Sequence, residues 1–173
     1  MLEKGVDLEQ NATYFQKRQF RYQKNKFNNA KILKLNATDL YLVGGRDSYP
    51  ALISRTDFKV RDSCIKINLT NGELTLKAKM LHERNEHGIC SIGQYIYCIG
   101  GSSKPKNSER FNVLQNRWKL IPGGELDENC LGFTCTAIKQ RFIYTFGCVG
   151  KKLKRKDMTT DKFMRLDVLK MSW

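Results

Sequence analysis

QYIYCIGGSS, residues 94–103, holds two tyrosines, three other apolar residues and a glycine pair within ten positions. The same phrase is written twice more, as TDLYLVGGRD at 38–47 and as QRFIYTFGCV at 140–149. Aligned on their tyrosines, the three copies put Tyr41, Tyr97 and Tyr144 in register at spacings of 56 and 47 residues. Two positions after each tyrosine comes Val, Ile or Phe, and then a glycine: Gly44, Gly100 and Gly147. A second glycine follows in two copies, Gly45 and Gly101, while the third has Cys148. An aliphatic–aromatic run reads as a strand, and a glycine pair lets the backbone turn sharply where no side chain need fit.

A further set of phrases follows these three. KINLTNGEL (66–74), RFNVLQNRW (110–118) and RLDVLKMSW (165–173) align without gaps. Each has a large apolar residue, then Asn or Asp, and a bulky apolar residue seven positions after the first, namely Leu74, Trp118 or Trp173. Repeats of this length and β character predict propeller blades of four short antiparallel strands. In the second unit these fall at about 88–92, 95–99, 108–113 and 117–121. Gly93-Gln94 forms a tight hairpin between the first two strands, and Asn71-Gly72 marks the corresponding outer turn of the first unit. Tryptophan on the outer strand supplies apolar surface to fill the space between twisted blades. The competing architecture is an ordinary antiparallel sandwich with incidental Gly-Gly turns.

These residues resemble the kelch repeat, with its aliphatic-Tyr strand ending in Gly-Gly, later aromatic-Asp/Asn strand, and Trp on the outer strand. HERNEHGIC (82–90) resembles that family's inter-blade stretch, with Arg84 and, three residues on, His87. The resemblance covers about 31–173 and departs from the pattern at Leu74 and Cys148. It implies an all-β fold: an N-terminal lead-in at 1–30, then an incomplete kelch-like propeller of about three blades. The repeats lie at about 31–80, 88–121 and 132–173, and the third is incomplete. Three units cannot close a ring that takes four to eight blades. The expectation is therefore a fragment of a longer protein, a propeller completed by another chain, or an edge covered by the first 30 residues. The first of these is preferred.

Composition bounds the function. The 173 residues are 40% hydrophobic and carry 31 Lys and Arg against 17 Asp and Glu, a net charge of +14. That charge favours polyanionic partners without choosing between nucleic acid, an acidic membrane surface and an acidic protein. No apolar run approaches the ~20 residues that span a bilayer, and the acid-bearing N-terminus does not read as a secretory signal. The six cysteines form no CxxC pair, and the expectation is free thiols in a reducing, intracellular setting. Three sequons, at Asn11, Asn36 and Asn68, are incidental on that reading.

Positive charge gathers in two stretches. Residues 14–34 hold seven Lys or Arg and no acid, among them Lys17, Arg18, Arg21, Lys24 and Lys26, interleaved with aromatics. The second, KKLKRK at 151–156, contributes Lys151, Lys152, Lys154, Arg155 and Lys156. It lies between the second and third strands of the third unit, on the end where blades connect, so one basic loop face is expected. The competing readings are a solvated loop and a nucleic-acid or nuclear-localisation patch. His82 and His87 are the only histidines, and no phosphate-binding loop, nucleophile elbow or zinc-protease helix motif is present. The expectation is a non-catalytic, cofactor-free interaction or scaffold module, cytoplasmic or cytoskeletal, meeting an acidic protein surface such as a filament. A nucleic-acid-associated protein, with a nuclear location, is the alternative, and a propeller enzyme the second.

Overall fold

The computed structural model describes residues 29–47, 59–101, 107–126, 130–132, 134–150 and 160–173. They form an all-β fold of three antiparallel sheets. The first blade is β1 (Lys31–Lys34), β2 (Asp39–Val43), β3 (Cys64–Asn68) and β4 (Leu74–Leu76), hydrogen-bonded in that order. The second is β5 (Gly88–Ile92), β6 (Tyr95–Ile99), β7 (Ser108–Asn112) and β8 (Arg117–Leu120), again in simple order. The third holds β9 (Cys130–Leu131), β10 (Thr134–Ile138), β11 (Phe142–Gly150) and β12 (Thr160–Asp167). There β9 and β10 both pair with β11, which pairs in turn with β12. At the outer position Ser172 makes only a single bridge back to Asp167. Strands in the second blade match the sequence expectation to within one residue at each end.

The repeat is exact in register. Tyr41 lies opposite Lys66, Tyr97 opposite Arg110 and Tyr144 opposite Arg165. The Asn or Asp after the apolar residue of the third phrase caps the next turn: Asn68 Oδ1 accepts from Thr70 N, Asn112 Oδ1 from Leu114 N, and Asp167 Oδ1 from Leu169 N. Short polar side chains that bond backbone two residues on are suited to such turns. Each turn then passes through a left-handed residue, Gly72, Asn116 or Met171.

Alternation along the strands gives each blade two faces. The tyrosine-bearing face of one blade packs on the opposite face of the next. Tyr41, Val43 and Cys64 of the first blade meet Ile96, Cys98, Phe111 and Trp118 of the second. Cys90, Ile92, Tyr97 and Ile99 of the second meet Ile143 and Leu166 of the third. The innermost strands adjoin, β1 beside β5 and β5 beside β10. Trp118 closes the first junction by donating its indole N–H to the Ala78 carbonyl at 2.8 Å. Leu74 and Trp173 occupy the matching outer positions of the other blades, both half-buried.

The third blade departs where its sequence departs. Gly44-Gly45 and Gly100-Gly101 adopt the same pair of φ values, 65° and 102°, and end their strands. With Cys148 in the second slot, β11 instead runs on to Gly150, its register against β12 shifting between Phe146 and Cys148. The expectation that this phrase ends a strand therefore holds for two blades and fails for the third. A residue with a side chain does not readily take the φ of +102° seen at Gly45 and Gly101, so the chain stays extended.

Candidate functional site

The end of the blades where β2 leads to β3, and where one blade connects to the next, is built around the segment 84–87. Arg84 and His87 are wholly buried there. The Arg84 guanidinium donates to Glu109 Oε1 at 2.7 Å, to the Gly100 carbonyl at 2.7 Å, and to the Asn107 carbonyl and side-chain oxygen, each at 3.0 Å. The second oxygen of Glu109 accepts from Leu81 N. A charge pair this deep persists because nearly every donor and acceptor is satisfied. The glycines make room for it. A Cβ on Gly44 would stand 2.4 Å from the Arg84 carbonyl, and one on Gly101 would stand 2.8 Å from that of Asn85.

Glu86 links the blades at the same end. At a positive φ of 57°, it receives the Asn29 amide on its side chain, while its carbonyl accepts from Gly132 N of the third blade. His87 beside it has neither ring nitrogen hydrogen-bonded among the described residues. Burial, with the nearby Arg84 and Lys31 charges, lowers its pKa to about 3, so the imidazole is neutral.

Lys17, Arg18, Arg21, Lys24, Lys26, Lys151, Lys152, Lys154, Arg155 and Lys156 lie outside the described residues. The ends of β11 and β12 that bracket 151–159 open toward this connecting end. Described charges there include paired ones: Arg61 with Asp47, and Lys79 with Asp62 at 3.5 Å. A described cationic feature lies elsewhere, on the second blade's tyrosine-bearing face and toward its opposite end. It is a shallow cleft of about 30 Å³ lined by Tyr95, Arg110, Asn112, Gln115, Arg117 and Lys119. Arg110 stacks over the Tyr95 ring at 4.8 Å, and Arg165 over Phe142 at 4.7 Å in the third blade. In the first blade the matching pair is the Lys66–Asp39 bridge at 2.9 Å. These basic residues open the phrases 66–74, 110–118 and 165–173, yet their packing role was not legible from the pattern. Glu109 gave no sequence signal beyond being an acid within a strand.

The buried thiols among the described residues are poor nucleophiles. Cys64, Cys90 and Cys98 are buried and free. Burial pushes Cys64 up to about 12 and Cys98 well above the usual thiol range. Cys90 is raised by its hydrogen bond with Cys135 and by burial. Among the described residues no group of three His, Cys, Asp or Glu side chains is placed to hold a metal ion.

A family model described as the kelch motif matches residues 83–124, from the junction segment through all four strands of the second blade. The second blade carries a kelch motif. The motif supports a protein-interaction module in the general sense. The chain is also similar to a Thlaspi arvense protein named N-(sulfonatooxy)prop-2-enimidothioate sulfolyase, at 30% identity over 97 residues. The match takes in 52% of this chain and 26% of that relative, so the chain spans about a quarter of the relative's length.

Proposed function

We propose that this kelch chain is a non-catalytic scaffold that engages an acidic protein surface, such as a cytoskeletal filament, through basic loops at the connecting end of its blades. The reading is supported by where the described strands before and after 151–156 end. Five of those six residues are Lys or Arg, and the strands on either side, β11 and β12, run to the end where the blades join. Rigid blades fix the loop bases, and the loops supply specificity. Tight packing of segment 84–87 keeps that base in one arrangement. The cellular setting that suits such a partner is the cytoplasm.

Reversing Lys151, Lys152, Lys154 and Lys156 to Glu is expected to weaken capture of an acidic protein partner from cell extract and to flatten its salt dependence. Capture must survive nuclease. A partner lost on nuclease treatment moves the same loops to nucleic acid, for which binding falls linearly with log salt. Unchanged capture by the reversed variant removes the reading.

The similarity to a sulfolyase supports a second reading, in which the kelch chain forms part of a lyase. Turnover of an N-(sulfonatooxy) imidothioate by the 173-residue chain, abolished by a single substitution, would establish it.

A further inference from the structure

Alternation along the strands places a pair of cysteines across each junction between blades. At the first junction Cys64, on the face of the first blade that bears Tyr41, shares a core cluster with Cys98 on the opposing face of the second blade. At the second junction Cys90, directly opposite Tyr97 in its own blade, belongs to the cluster against which Cys135 of the third blade packs. The strands that carry this second pair, β5 and β10, lie side by side.

The two pairs differ in access. Cys64 is 1% and Cys98 0% exposed, so the first pair is sealed. In the second pair Cys90 is buried but Cys135 is only half-buried, so one sulfur can be reached from solvent. The two thiols are joined by a hydrogen bond. Directly opposite Cys135, on the same face of the third blade, Thr145 is wholly buried, and its hydroxyl has no hydrogen-bond partner among the described residues. A hydroxyl so placed can donate to an oxygen carried on the Cys135 sulfur.

We propose that Cys90 and Cys135 form a reversible oxidation site, at which a peroxide generates a disulfide that fastens the second blade to the third. The Cys135 thiolate sulfur attacks one oxygen of hydrogen peroxide, the O–O bond breaks, and hydroxide leaves and takes up the proton that Cys135 gave up. Cys135 is then a sulfenic acid. The Cys90 sulfur attacks the Cys135 sulfur, the S–O bond breaks, and the oxygen departs as water with the Cys90 proton. The two thiols lose two electrons and two protons, and the peroxide is reduced to two waters. A dithiol reverses the change by thiol–disulfide exchange. The order of the steps follows from access. Burial and the hydrogen bond raise the Cys90 thiol above its usual range, so the reaction starts at the accessible Cys135. The bond restrains the unfolded chain by closing a long loop, from β5 to β10.

Hydrogen peroxide treatment of the full 173-residue chain, followed by peptide mass spectrometry without reductant, tests this. The expected product is a cross-linked pair of peptides holding Cys90 and Cys135, lighter by two hydrogens and separated again by dithiothreitol. The urea-unfolding midpoint of the oxidised chain should lie above that of the reduced chain. Cys135→Ser, at a half-buried position, should abolish both the cross-link and the rise. Cys130→Ser with Cys148→Ser should keep both. Cys64 and Cys98 should stay thiols until the chain is unfolded. The peptide map of the unsubstituted chain requires no variant to fold. Sulfinic acid at Cys135 without the cross-link overturns the proposal, as does a cross-link from Cys135 to any other cysteine. A Cys90–Cys135 bond that leaves the midpoint unchanged overturns it as well, because the blades are then not fastened.

Discussion

At Arg84 and Glu109 the molecule keeps two charges wholly buried. Removing one partner leaves the other buried and unpaired, at a cost of about 3–5 kcal/mol. Arg84→Ala and Glu109→Ala should each lower the stability read from urea unfolding by that amount. The paired replacement Arg84→Met with Glu109→Leu should cost much less than the sum of the two, since no charge is stranded. His87 makes a different demand. Its pKa falls from 6.5 to about 3 on folding, so over that interval the unfolded chain holds a proton that the folded chain does not. Its contribution to stability is complete above pH 6.5. It is lost by about 1.4 kcal/mol for each pH unit as pH falls toward 3. Unfolding titrations between pH 6.5 and 4.5 should show that slope, and His87→Gln should flatten it.

At the scale of the element, the glycine phrase and the outer-strand tryptophan are the working parts. Gly101 has a φ of +102° and would press a Cβ against the Asn85 carbonyl, while Gly93 has a φ of +54° with open space around it. Gly93→Ala should therefore cost about 1 kcal/mol, and Gly101→Ala at least twice that, in the same urea measurement. Trp118→Phe removes the bond to the Ala78 carbonyl and should cost about 1–2 kcal/mol. Trp173→Phe removes an indole N–H that has no partner among the described residues, and so should cost less. Much of this was legible in the sequence, because a blade needs its tyrosine, its glycine pair and its Asx turn at fixed offsets. The three aligned phrases gave the repeat and its four-stranded antiparallel blade. What stayed illegible depends on contacts between distant strands. Nothing local marks Glu109 as the partner of Arg84, or Lys66, Arg110 and Arg165 as residues packed against the strand beside them. The third blade lay between these cases: Cys148 announced a departure, but not that β11 would run on through it.

At the scale of the molecule, stability is distributed by coverage. Repeat arrays gain stability from each repeat and from each interface between neighbours, and among the described residues the second blade has two such interfaces where the first and third have one. Amides of β6 and β7, such as Ile96 and Phe111, should exchange hydrogen only through global opening. Those of β4, a three-residue edge strand with Leu76 80% exposed, should exchange through cheaper local opening. Hydrogen exchange read by mass spectrometry on peptides from each blade measures this difference. The second blade should be the slowest to exchange, and equal protection of all three blades would contradict stabilisation by coverage.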